Sequence, residues 1–292
     1  MLNRSCPNDL KQASPPAEPF FLRAGSGRRF CLYHGPRSSK ECRGALIYIH
    51  PFGEEMNKSR RMAAMQARSF AAAGFAVLQI DLFGCGDSDG EFGSARWNIW
   101  KQDLDFAWDW LENRAAAPVS LWGLRLGALL ALDFAVNSER RTDKIVLWQP
   151  VVTGEAFLNQ FLRLRMANEM LASTPGSKKT TGTGALRDRL ARGEMLEVAG
   201  YDLAPELAAA IDALKAAELV ITRCAVHWFE IVAEPGRPMT PAGTNAITQW
   251  RHHGANPYTH LVPCVPFWAT QEISECPELI STTLSVFAET VP

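Results

Sequence analysis

The chain is short of almost every feature that assigns a function at sight. Its 30 basic and 31 acidic residues leave a net charge of -1 over 292 positions. Binding to nucleic acid or to an anionic membrane surface draws on a basic surplus, so neither partner is expected. The basic clusters at 58–61 and 187–189 read as solvated helix faces. Seven cysteines occur with no Cys-x-x-Cys pair and no metal-ligand spacing, and their odd number leaves at least one thiol unpaired. No metal site and no disulfide framework are expected, and a reducing, cytoplasmic compartment fits. Residues 1–19 carry Asn3, Arg4, Asp9, Lys11 and two prolines instead of the apolar core of a secretory signal, and read as a loose tail. No run approaches the ~18 apolar residues that cross a bilayer. A dinucleotide-type glycine fingerprint is missing too, so no cofactor is expected. There is no internal repeat.

What is present is an alternation of buried strands and helices. Residues 19–22 and 29–34 are strand-like, and residues 44–50 form a continuous apolar run that suits a strand covered on both faces. Met62, Met65, Phe70 and Ala73 recur at helical spacing over 59–73, and Gly74 is placed to end that helix. A strand at 75–80 feeds a turn-rich loop, Asp81 to Gly90. The helix over 95–112 gathers Trp97, Trp100 and Trp108 on one stripe, as core residues. Strands follow at 118–122 and 144–148 with a helix over 126–137 between them. The strand signal then disappears from 150 to about 223, where helical patterns flank a Gly, Ser, Thr and Lys-rich stretch at 173–184 that has the composition of a mobile loop. A strand at 225–232, a helix at 242–253, a last strand at 260–265 and a helix at 277–290 complete the series. Such alternation implies a mostly parallel sheet with right-handed crossovers.

One junction is unusual. Residues 118–122 run into Gly123-Leu124-Arg125-Leu126-Gly127 and then a small, apolar helix, which is the strand, tight turn and helix of a nucleophile elbow with arginine where serine belongs. A guanidinium stays protonated and has no lone pair with which to attack a carbonyl. At a helix N-terminus, however, it would add to a place that already favours anions, and could grip a carboxylate or phosphate in a fork. Asp81, Glu54 and Glu234 are the carboxylates that could pin Arg125 instead.

The element order over about 20–290 resembles the α/β-hydrolase fold, a mostly parallel central sheet flanked by helices, here with a helical cap insertion. Three motifs carry the resemblance: His50-Pro51-Phe52-Gly53, similar to the oxyanion loop after the third strand; Asp81-Leu-Phe-Gly84-Cys-Gly86-Asp-Ser88, similar to the family's Asp-x-x-Gly-x-Gly-x-Ser turn; and the elbow itself. On this reading residues 1–19 are a tail, 20–150 and 224–292 the core, and 151–223 the cap. More narrowly, the arginine-bearing elbow, with Pro266-Phe-Trp268 and Glu272-Ile273, resembles the exosortase A system-associated hydrolase 2 group, bacterial proteins that go with exopolysaccharide loci.

The resemblance implies a triad of nucleophile, acid and histidine in chain order. The first position is Arg125, the second falls near Glu234, and the loop at 265–272 holds no histidine, His260 preceding it. Two of three members are missing. His50 is then a candidate base or a holder of the oxyanion loop, Glu272 an alternative acid, Trp268 a pocket residue, and Phe52, Gly53 and Leu126 the loop and backbone donors. Cys85 is a thiol near the pocket mouth, Ser88 a turn serine, and His252-His253 a surface pair. Two functions fit: a hydrolase or acyltransferase acting on an ester or acyl intermediate of exopolysaccharide or acyl-lipid chemistry, with small anionic groups as a substrate feature, or a pseudo-hydrolase that binds an anionic ligand or a partner protein without turnover.

Overall fold

The computed structural model describes residues 15–36, 42–172 and 182–288. Residues 1–14 of the expected tail and 173–181 of the expected mobile loop lie outside the described residues. Eight strands form one sheet: β1 (Glu18–Arg23), β2 (Arg28–His34), β3 (Gly44–Ile49), β4 (Phe75–Ile80), β5 (Val119–Leu124), β6 (Lys144–Trp148), β9 (Ala225–Val232) and β10 (Tyr258–Pro263). Their spatial order is β1-β2-β4-β3-β5-β6-β9-β10. β1 and β2 are antiparallel to their neighbours, and every pair from β4 to β10 is parallel.

The strands read as unbroken apolar runs because each feeds two cores. Ile47 and Ile49 of β3, Leu121 of β5 and Leu147 of β6 face one side, where α2 (Trp97–Ala115), α3 (Leu126–Asn137) and α7 (Pro241–His252) lie. Leu46 and Tyr48, Trp122, and Trp148 face the other, against α1 (Glu54–Ala72) and α8 (Pro277–Ala288). Trp108, Trp122, Trp148, Trp228 and Trp250 are all buried to less than 2 % exposure. Two of them also fix helices by polar contacts: the Trp148 indole N–H donates to Thr283 Oγ1 at 2.9 Å, and that of Trp250 to the Ala216 carbonyl at 2.7 Å. Truncating such a ring costs about 3–5 kcal/mol.

Between β6 and β9 the chain adds α4 (Gly154–Ala172), α5 (Thr183–Ala191) and α6 (Pro205–Asp212). The expectation of no strand there is corrected by a small hairpin, β7 (Leu196–Val198) with β8 (Tyr201–Leu203). Three residues per strand are too few to show a period of two. Its turn, Ala199 and Gly200, has positive φ at both positions, the twist that a two-residue hairpin demands. Two boundaries also move. α1 begins at Glu54 directly after Gly53, because two acidic residues open its first turn where the helix dipole favours them. The last strand spans Tyr258–Pro263 because its register follows β9, with His260 opposite Phe229 in mid-strand.

Candidate active site

The elbow is a sharp, strained strand-to-helix turn. Arg125 sits between β5 and α3 at φ 56° and ψ -118°, a left-handed conformation that costs a non-glycine residue about 1–3 kcal/mol. Packing enforces it. A Cβ on Gly127 would lie 2.3 Å from the Ile49 carbonyl oxygen, and one on Gly123 2.5 Å from Ala128 Cα. The Arg125 N–H donates to the Trp148 carbonyl at 2.9 Å, and its own carbonyl accepts from Ala128 and Val151. Beside it, His50-Pro51-Phe52-Gly53 leads from β3 into α1. Among the described residues the N–H groups of Phe52 and Leu126 have no acceptor, which leaves both available to an oxyanion.

The Arg125 side chain is 12 % exposed. Its Nε donates to Glu55 Oε1 at 3.2 Å, and its guanidinium lies 5.4 Å from the Trp268 ring centroid. The sequence candidates for its partner, Asp81, Glu54 and Glu234, are thereby corrected to Glu55, the second residue of α1. Glu55 is no simple surface carboxylate. Burial pushes its carboxyl up, against the Arg125 charge that pulls it down, and its Oε2 is shielded from solvent with no hydrogen-bond partner among the described residues. In front of the pair opens a cavity of about 170 Å³ bounded by Phe52, Phe157, Phe161 and Trp268, with Glu54, Glu55 and Lys58 at one side.

At the other triad positions no acid or histidine pairs with Arg125 among the described residues. Glu234, after β9, is 73 % exposed and its nearest cation is Arg237 at 4.0 Å, so it does not reach Arg125. Glu272 is exposed, and its contacts are made by its main-chain carbonyl, which accepts from Thr270 and Ser274. Trp268, on the loop after β10 where the family carries histidine, covers the guanidinium instead. His260 is held in the sheet, 3.2 Å from His227 Nδ1.

His50 is not free to act as a base. Its Nδ1 lies 2.7 Å from the Pro51 carbonyl and its Nε2 accepts the Leu82 N–H at 3.2 Å, so both ring nitrogens are used. Burial pushes its pKa down, and the ring is a neutral strut between the oxyanion loop and the end of β4. Asp81 pairs with Arg60 at 3.1 Å and accepts the Asp87 N–H. Ser88 is a turn residue whose hydroxyl bonds the Asp81 carbonyl and the Phe30 N–H. Cys85 is buried, and desolvation, aided by Asp81 and Asp103, pushes its thiol well up; a stabilised thiolate there is excluded. His252 and His253 are exposed at the end of α7. Among the described residues no group of three or more His, Cys, Asp or Glu side chains is placed to hold a metal.

The structure thus brings Arg125 to Trp268 and lines one space with Phe52 and Trp268 and a neighbouring one with Phe52, Gly53 and Leu126, while Asp81 pairs with Arg60 and Glu234 with Arg237. It adds Glu55, Phe157 and Phe161. The sequence signal for Glu55 was its position two residues past the oxyanion-loop glycine, on a first helical turn that must lie over the elbow.

Strand order, elbow and oxyanion loop together define an α/β hydrolase. Residues 40–234 match the family described as serine aminopeptidase, S33, and the chain belongs to that family. Its fold is similar to that of Est1E from Butyrivibrio proteoclasticus, a structure with ferulic acid bound, at 14% identity and a TM-score of 0.67 over 92% of this chain and 97% of that one. A thermostable carboxyl esterase from Bacillus coagulans, in complex with glycerol, is similar at 13% identity and a TM-score of 0.60, over 94% and 100% of the two chains. The mouse α/β hydrolase domain-containing protein 10 is similar at 13% identity and 0.53, over 93% and 99%. At such identities the likeness is one of fold. No curated protein matches the chain in sequence. Among the described residues no helix is long and apolar enough to cross a membrane.

Proposed function

We propose that the chain hydrolyses an ester or acyl bond by direct attack of water, without a serine acyl-enzyme. The observation that carries this reading is Glu55, a carboxylate raised by burial and oriented by Arg125 at the side of the cavity. A base works best when its pKa lies near the working pH, and burial moves Glu55 that way. In the proposed step water donates a proton to the Glu55 carboxylate, whose side chain is 21 % exposed, while the water oxygen bonds the acyl carbon. The resulting oxyanion takes hydrogen bonds from the Phe52 and Leu126 N–H groups. Glu55 returns the proton to the leaving alkoxide as the carbon–oxygen bond breaks. Arg125 keeps Glu55 ionised before the step, and its remaining N–H donors can hold an anionic group of the substrate. The segment 151–223 serves as the cap, since Phe157, Phe161 and Tyr201 pack over Phe52 and Gly53. The elbow's likeness to the exosortase-associated group supports an exopolysaccharide or acyl-lipid intermediate as substrate, and a cytoplasmic site of action accords with six unpaired cysteines among the described residues.

The test is turnover of a panel of neutral and anionic acyl esters. Glu55→Gln is expected to lower kcat about 100-fold or more while leaving the fold intact. Arg125→Ser is expected to gain neither activity nor labelling by a fluorophosphonate, since no histidine stands ready to activate the hydroxyl. Equal kcat for wild type and Glu55→Gln would remove the base. A second reading, a binding protein without turnover, is favoured by Trp268, which occupies the histidine's loop and shields the Arg125–Glu55 pair. A wild type inert on every ester, yet binding anionic analogues through Arg125, selects that reading.

A further inference from the structure

α1 has a cavity on each side. One holds Glu55 and Trp268; the other, of about 150 Å³, lies between α1 and the sheet and belongs to no step described above. Five polar residues line it: Tyr48, His50, Arg60, Gln79 and Asp81. Tyr48 is 5 % exposed and lines the space, and its hydroxyl has no hydrogen-bond partner among the described residues. Arg60 and Asp81 line it as a pair at 3.1 Å. Phe30 and Ile80 give an apolar wall, and Ala63 and Ala64 leave room where longer side chains would fill the gap.

We propose that this cavity is a binding site for a small neutral polyol. A buried polar group left without a partner is costly, and native proteins leave few of them; the side-chain nitrogen of Gln79, a residue that lines this space, is one, and Tyr48 presents its hydroxyl there with no bond to a described residue, so both call for an occupant. The charge pattern selects its class. An anion entering the space meets the Asp81 carboxylate and a cation meets Arg60, so each is opposed by one member of the pair. An alcohol both donates and accepts, and adjacent hydroxyls can address the guanidinium, the carboxylate and the phenol together. A space of this size takes a molecule of about six to eight non-hydrogen atoms. That is a polyol of three or four carbons or a fragment of a sugar, its carbon edge against Phe30 and Ile80. His50 forms another wall, so the occupant touches the strut of the oxyanion loop without entering the Arg125 site.

The experiment is ligand-observed saturation-transfer NMR with erythritol at millimolar concentration, with butyrate and butylamine as charged controls of similar length. Wild type is expected to transfer saturation to erythritol and to neither control. Tyr48→Phe should weaken binding about five-fold, the effect of one lost hydrogen bond, and Ala64→Met, which fills the cavity, should abolish it. Arg125→Ala should leave it unchanged, which separates this site from the candidate active site. Circular dichroism checks each fold, and Arg60→Met, at the rim, is the replacement for any variant that fails. No transfer in wild type means that water alone fills the space and overturns the proposal. So does transfer that survives Ala64→Met, or equal transfer to butyrate.

Discussion

The two halves of the candidate site have been held to different standards. On the side of β3, β5 and α3, the elbow and the loop after β3 are packed backbone against backbone: a single Cβ on Gly127 would sit 2.4 Å from the His50 carbonyl oxygen. On the side of β9 and β10, the loops that carry acid and histidine in this fold carry neither in reach of Arg125. There Gly236 has nothing within 4 Å of where a Cβ would stand. The difference is one of packing duty. The elbow is a close approach of two backbones inside the core, and any departure from it is felt by β3, β5 and α3 at once. A triad acid or histidine projects from a loop and bears on little else, so its chemistry can be exchanged while the sheet stays as it was.

The sharpest way to break this comparison is Gly127→Ala. The added methyl meets main-chain oxygen atoms that cannot turn aside, and a loss of about 4 kcal/mol or more is expected, read as a lower urea midpoint with the slope unchanged. Full stability in that variant would mean that the elbow is loose and its geometry accidental. Next comes Asp103→Ala. Arg29 and Asp103 are each 1 % exposed and bond at 2.7 Å, and Asp103 also accepts the Phe83 N–H at 2.7 Å, fixing the 81–90 turn to α2. Removing one member leaves a buried charge alone, which costs about 3–5 kcal/mol. Asp103→Ala combined with Arg29→Met should recover much of that loss in the same denaturation assay, since the pair is expensive to break and cheap to replace.

This asymmetry also decides how far the sequence could be read. Strands with both faces buried announce themselves as apolar runs, and β3, β4, β5 and β6 were visible for that reason. The elbow was visible because glycines on either side of one residue are a steric demand. The β7–β8 hairpin was hidden by its length, and the start of α1 by its polar first turn, in which Glu54 and Glu55 serve the helix dipole. The sequence offered Asp81, Glu54 and Glu234 as partners for Arg125 and missed Glu55, because an ion pair depends on how α1 is rotated over the elbow. Glu234 was named from its place in the chain order, and its exposure follows from a loop that packs against nothing. His50 was offered as base or strut; its ring hydrogen bonds, which depend on Leu82 being brought alongside, are those of the strut.

A pH experiment probes the β9–β10 side by itself. Burial, then the His260 and Lys144 charges, pushes the His227 pKa down to about 4, while Tyr258 stacks on its ring. A histidine depressed in the fold binds protons more readily when unfolded. Its contribution is therefore present above the unfolded value of about 6.5 and is lost as pH falls through that value towards 4. After allowance for solvent screening the loss is about 1–2 kcal/mol. His227→Asn should flatten this part of the stability profile relative to wild type; parallel profiles would show that the edge of the sheet is open to water.

The smallest effect is expected where the family places its acid. Glu234 is 73 % exposed and lies 4.0 Å from Arg237, an i,i+3 surface pair of the kind that contributes little. Glu234→Gln should move stability by no more than about 0.5 kcal/mol and leave ester turnover as it was. The neutral result is the informative one, for it would make the loop after β9 a place where the fold can lose its acid at no structural cost. A drop in kcat of ten-fold or more, with the fold intact, would instead draw Glu234 into the chemistry during turnover. It would then take from Glu55 the role that burial and Arg125 assign to it.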